Sequence, residues 1–241
     1  KKDIHLWQYA EEMEGPELRK YMTEMWEIMK DCVRAGLNDE GILPGGLEVK
    51  KKAKQLYTSK HIDESPETRE NRLVCAYAFA VSEQNAAGER IVTAPTCGAA
   101  GVLPAVLYYQ QKKRNYSDER IVEALETAGI IGALIKTNAS ISGAECGCQA
   151  EVGVATSMMA GGLVTFLTDD PAAAERAAVL GMQYIIGQVC DPVAGYPQIP
   201  CFIRNIASVP VAMICANFAM LGLDTAVTLD GMVQATLRVG E

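Results

Sequence analysis

Residues 138–167 read NASISGAECGCQAEVGVATSMMAGGLVTFL, and this stretch decides the fold. Its second half, Glu151 to Leu167, is apolar nearly all round rather than along one face. A helix of that kind has no side to offer to water, so it belongs in the middle of a helical protein. The first half is different in kind. Ser, Gly and Ala surround two cysteines, Cys146 and Cys148, and two carboxylates, Glu145 and Glu151. A second cysteine-bearing run, Cys190 to Asn205 (CDPVAGYPQIPCFIRN), lies downstream and reads as its partner at one site.

Helical periodicity extends outward from the apolar segment in both directions. Asp170-Pro171 starts a helix reaching about Val189, and two more fit Phe202–Leu223 and Asp230–Val239. Upstream, Ser117-Asp118-Glu119 caps a helix carrying Ile121, Leu125, Ile130 and Leu134 at helical spacing. Ser65-Pro66-Glu67 starts another, which runs to Gly88. Pro16 opens a strongly amphipathic run through Leu18, Met22, Trp26, Met29 and Val33, with Gly36 as its stop. Leu37–Leu47 is a Gly- and Pro-bearing ordered loop, the basic run Lys50–Lys54 is a solvated face, and Ile91–Gly101 is irregular before a further helix. No segment alternates with period two over more than a few residues. The expectation is therefore an all-α protein, one domain over residues 1–241, with its more polar N-terminal third packed as a satellite of the core.

Composition narrows the function classes. A chain of 241 residues with only 6% aromatic residues must build its core from Ala, Val, Ile, Leu and Met. A formal charge of −8 excludes nucleic acid as the expected partner, since phosphate neutralisation needs a basic face. Eight cysteines in a chain this long do not form the framework of a small secreted domain, and residues 1–14 hold no signal-peptide core. The apolar run Ile206–Leu223 is nearly long enough for a bilayer, but it contains Ser208, Pro210 and Asn217 and lacks basic flanks, so a buried helix is expected. A cytoplasmic location follows. The start at Lys1 without a Met fits a piece of something longer.

Three constellations carry possible chemistry. Cys148, Cys190 and Cys201 each sit beside Gly, Pro or Gln, as thiolates presented by rigid loops would, whereas Cys32, Cys75 and Cys215 fall on helix patterns as small hydrophobes. Structural zinc sites show paired knuckles that this spacing lacks, and widely spaced single cysteines suit iron–sulfur binding better, although packing alone also accounts for them. The segment Thr93–Gly101 (TAPTCGAAG) precedes a helix start, which suits a substrate carboxylate and equally a plain helix-entry turn; Thr93, Thr96 and Gly98 are its candidate contacts. In the third, Lys136 to Gly143, the residues Asn138, Ser140, Ser142 and Gly143 can hydrogen-bond or bend beside the cysteines and are candidates for binding; Lys136, more simply a snorkelling helix end, and Glu145 are candidates for proton transfer. Arg204 offers a bidentate clamp for a carboxylate, or else a surface ion pair. His5 and His61 lie in polar N-terminal contexts and neither suits a general base.

Together these motifs resemble the catalytic α subunit, or α domain, of bacterial iron–sulfur-dependent L-serine dehydratases. The matching stretches are Gly36–Leu47, Glu83–Gly101, Asn138–Gly153 and Cys190–Asn205. The resemblance implies a mostly helical fold and a 4Fe–4S cluster held by Cys148, Cys190 and Cys201, with one iron open to substrate. It also implies L-serine as substrate, held at Thr93–Gly98 and Ser140–Gly143, and pyruvate and ammonia as products. A separate β chain or domain, a further C-terminal tail and an oligomeric assembly are expected partners of this piece. The sequence departs from the family pattern at Cys97, where Asn is usual, and at Cys146, where Val is usual. Elimination of hydrogen sulfide from L-cysteine is a close variant, and a non-catalytic cysteine–metal or redox module is the alternative outside enzymes. A pyridoxal-phosphate enzyme is disfavoured by the lack of βαβ patterning and of a Gly-rich phosphate loop.

Overall fold

Helix α8, Val154–Val164, is buried along its whole length, as its all-round apolar pattern requires. It is the hub of the computed structural model, which describes residues 4–60 and 63–240. Around it stand α5 (Val102–Arg114), α6 (Asp118–Asn138), α9 (Pro171–Ile185) and α10 (Cys201–Met220). Small residues permit the close approach: a Cβ on Gly181 of α9 would come within 3.1 Å of the Ser157 backbone. The hydroxyls buried in α8 are satisfied without solvent, Thr156 donating to the Val152 carbonyl at 2.7 Å and Ser157 to that of Ala178 at 2.7 Å.

The remaining elements are α1 (Leu6–Glu14), α2 (Glu17–Asn38), α3 (Ala53–Thr58), α4 (Pro66–Ala87), α7 (Gly143–Cys146) and α11 (Leu229–Gly240). Among the described residues there is no strand, only an isolated antiparallel bridge between Ile42 and Lys50, so the all-α expectation holds. The expected starts are where the capping chemistry puts them. Ser65 accepts from the Thr68 amide at 3.2 Å, Ser117 from that of Arg120 at 3.4 Å, and Asp170 from those of Ala172 and Ala173 at 3.0 and 3.2 Å.

Four expectations need correction. The N-terminal third is not a satellite, because Trp26, Met29 and Val33 of α2 are buried in the same core as α8. Trp26 donates to Asp118 at 2.8 Å, and Lys30 meets that carboxylate at 3.1 Å, tying α2 to the start of α6. Gly36 does not stop α2, which continues to Asn38; it lies against α4, where a Cβ would come within 2.4 Å of the Ala80 carbonyl oxygen. The basic run is only partly solvated, since Lys51 is half-buried against Asp39, and the Lys52 and Ala53 amides start α3 on the buried Glu83 carboxylate. Helix α9 ends at Ile185, and a loop carries the chain from there to Cys201. Helix α10 is long and apolar enough to cross a membrane, yet it packs on α4, α5, α8 and α9, as expected of a core helix.

Candidate functional site

Gly147 separates the two cysteines that the sequence sets side by side. Its φ of +76° is the left-handed conformation that glycine adopts without strain, and a Cβ there would fall 2.4 Å from the Gln188 carbonyl oxygen. On one side of this turn Cys146 is buried against α11, where a Cβ on Gly240 would come within 2.7 Å of its Sγ. On the other, Cys148 is 3% exposed and meets Arg204 of α10, whose Nη1 donates to its Sγ at 3.2 Å. The tight pair is thus no knuckle.

Arg204 gathers the second loop around Cys148. The same Nη1 donates to the Val189 carbonyl at 3.1 Å and to the Asp191 carboxylate, an ion pair that raises the guanidinium pKa further. Cys190 lies between those two partners and is exposed; Cys201 is half-buried at the start of α10. The three thiols lie within electrostatic range of one another. Burial pushes Cys148 up from its usual value, with Arg204 pulling the other way, and burial together with Cys148 and Cys190 pushes Cys201 up to about 11. Among the described residues no trio of Cys, His, Asp or Glu is drawn tightly enough to hold a single metal ion.

A five-residue π-helical turn, Gln149–Gly153, joins Cys148 to α8 and turns two polar side chains to opposite tasks. Gln149 is buried; it accepts from the Gly187 amide at 2.7 Å and donates to the Thr236 carbonyl at 3.2 Å, pinning the second loop and α11. Glu151 points to the Thr93–Gly101 segment instead and accepts from Thr96 Oγ1 at 2.8 Å. A Cβ on Gly98 would come within 2.9 Å of its carboxylate, and one on Gly143 within 2.5 Å. Thr96, Gly98 and Gly143, which the sequence assigns to substrate, are therefore brought together by a carboxylate absent from that assignment. Its signal was present: a lone acid at the entrance of an otherwise apolar run, three residues past Cys148.

The other candidates are spread around this centre. Asn205 is buried and donates to the carbonyls of Gly98 and, at 3.3 Å, Cys201. Ser142 stands at the N-cap position of α7 without a side-chain capping bond, and the Ser140 hydroxyl donates to Glu145 and accepts from the Ser142 amide at 3.0 Å. Thr93, Lys136 and Asn138 are exposed, and the Asn138 amide is turned back onto the Leu134 carbonyl at 2.8 Å. No hydrogen bond or ion pair among the described residues joins Lys136 or Glu145 to the thiols. Cys97 is exposed beside Gly98. His5 is held 2.9 Å from the Asp169 carbonyl, and His61 lies outside the described residues.

Long-range hydrogen bonds also wire the four motif stretches to one another. Gln84 donates to Asp39 at 3.0 Å, Gln198 to the Pro44 carbonyl at 2.7 Å, and Thr96 to Glu151 at 2.8 Å. Residues 4–241 match the family model described as serine dehydratase alpha chain. The chain belongs to that family. It is 45% identical to an L-serine dehydratase of Streptomyces coelicolor over 226 residues, 93% of this chain and 50% of that protein. It is 42% identical to an L-serine dehydratase of Haemophilus influenzae over 226 residues, 92% of this chain and 50% of the relative. An L-serine dehydratase of Mycobacterium tuberculosis is 42% identical over 232 residues, 93% of this chain and 50% of its own length. The chain thus spans about half the length of the curated relatives it matches.

Proposed function

We propose that this chain is the α part of an iron–sulfur-dependent L-serine dehydratase, which converts L-serine to pyruvate and ammonia. What supports the reading is Cys148, held by Arg204 at 3.2 Å, with Cys201 close enough to feel the Cys148 and Cys190 thiols, in a chain of this family. Those three thiols would hold a 4Fe–4S cluster. When bound, it supplies a Lewis acid for the serine hydroxyl, which is otherwise a poor leaving group. Arg204 stabilises the Cys148 thiolate by an N–H···S hydrogen bond, and binding the metal releases thiol protons that burial holds in place. The Thr93–Gly98 loop and Ser140–Gly143 line the space for substrate. Loss of the α-proton and of water leaves an enamine, whose imine tautomer hydrolyses to pyruvate and ammonia.

The activity belongs to the whole enzyme. A β chain or domain completes it, in an oligomeric assembly located in the cytoplasm, where the eight unpaired cysteines of this chain stay reduced. The test is anaerobic reconstitution of the complete enzyme with iron and sulfide, followed by metal analysis and a pyruvate assay. About four irons per chain and turnover of L-serine are expected. Colourless, iron-free protein after reconstitution sinks the reading. Turnover of L-cysteine in preference to L-serine would replace the substrate while keeping the site.

A further inference from the structure

Glu151 is a half-buried carboxylate whose only hydrogen-bond donor among the described residues is the neutral Thr96 hydroxyl. No Lys, Arg or His pairs with it among those residues. The nearby cation, Arg204, directs its Nη1 to Asp191, the Val189 carbonyl and Cys148. A half-buried carboxylate with a single neutral donor keeps acceptor capacity for a cation from outside. Glycines at 98 and 143 lean on the carboxylate from two sides, where any side chain would crowd it. A primary ammonium supplies charge and several donors in a small volume.

We infer that Glu151 is the anchor for the α-ammonium group of the amino-acid substrate, aimed by Thr96 and accommodated by Gly98 and Gly143. This rests on the L-serine dehydratase reading and deepens it by naming the group that makes the enzyme demand a free amine. The ligand class is an L-α-amino acid with an unsubstituted ammonium. A charge-assisted hydrogen bond of this kind contributes enough that its loss weakens binding roughly 10- to 100-fold.

The test uses the complete, anaerobically reconstituted enzyme, with iron content measured for every variant. L-Serine kinetics are compared with inhibition by 3-hydroxypropanoate, which keeps the hydroxyl and carboxylate and lacks the amine. In Glu151→Gln the KM for L-serine should rise roughly 10- to 100-fold, while the inhibition constant of 3-hydroxypropanoate moves less than about threefold. Glu151→Asp keeps the charge at a shorter reach, and Thr96→Val leaves the carboxylate unaimed; both should give intermediate KM values with iron retained. Three results overturn the inference. One is an unchanged KM with a collapsed kcat, which makes Glu151 a proton acceptor. Another is loss of iron in both Glu151→Gln and Glu151→Asp, which makes it a cluster ligand. The third is a parallel loss of 3-hydroxypropanoate binding, which makes its role structural. If the wild-type enzyme turns over no L-serine at all, it is the underlying reading that fails.

Discussion

At the scale of single residues, sulfur chemistry is divided by backbone conformation rather than by spacing. The left-handed turn at Gly147 sends Cys146 to the packing against α11 and Cys148 to Arg204. Cys148→Ser should therefore lose most of the iron taken up on reconstitution, while Cys146→Ala should keep it and lower only the thermal midpoint. Iron and sulfide analysis with a melting curve checks both, and equal iron loss in the two variants would reject the division. The thiols on helix faces stand apart: burial pushes Cys32 up to about 12 and Cys215 up to about 11, which leaves them protonated and unreactive at neutral pH. This split was legible in part. Gly and Pro beside Cys148, Cys190 and Cys201 mark loops, and helical spacing marks Cys32 and Cys215. Glu151 was harder to see because it opens an apolar run, and what it faces depends on where a distant loop returns. Nothing local to Glu151 encodes the approach of Thr96 and Gly98.

At the scale of elements, the helix starts were the readable part, because a Ser or Asp cap followed by Pro or an acid is a local hydrogen-bonding motif. Ser65, Ser117 and Asp170 all cap the helices their sequences announce. Glycines were ambiguous, because the same residue ends one helix and lets two others touch. Gly88 is a left-handed cap, as expected, whereas Gly36 is a contact between α2 and α4. Gly36→Ala drives a methyl group into the Ala80 backbone, which has no rotamer by which to yield, and about 3 kcal/mol of destabilisation is expected. Gly129→Ala in α6 meets nothing closer than the flexible Met22 Cε at 3.4 Å. Helix propensity should make that change neutral or stabilising by up to about 1 kcal/mol. Urea unfolding of the two variants separates the cases, and a Gly36→Ala protein as stable as the wild type would remove the close contact from the account.

At the scale of the molecule, α1 and α2 join the one core, and that union buries an acid. The short α1 escaped the sequence reading although Leu6, Ala10 and Met13 recur at helical spacing, because it has no Ser, Thr, Asp or Pro signal at its start and its place is set by α6. Glu126 of α6 is 1% exposed beneath these helices, with Arg19 at 3.5 Å and no hydrogen bond to either carboxylate oxygen. Burial, helped by Glu11 and Glu123 and opposed by Arg19, pushes its pKa up to about 7 from 4.5. The folded state then holds a proton that the unfolded chain has released between those two values. Stability from this group is fully present below about pH 4.5 and is lost as pH rises through about 7, the reverse of an ion-paired carboxylate. The shift corresponds to a stability difference on the order of 3 kcal/mol across the window. Glu126→Gln removes the titration and keeps the shape. It should match the wild type near pH 5 and exceed it near pH 8 by up to that amount, as measured by urea unfolding at the two pH values. A variant less stable than the wild type at pH 8 would mean that the Arg19 ion pair outweighs desolvation and that Glu126 is held in the core as a charge.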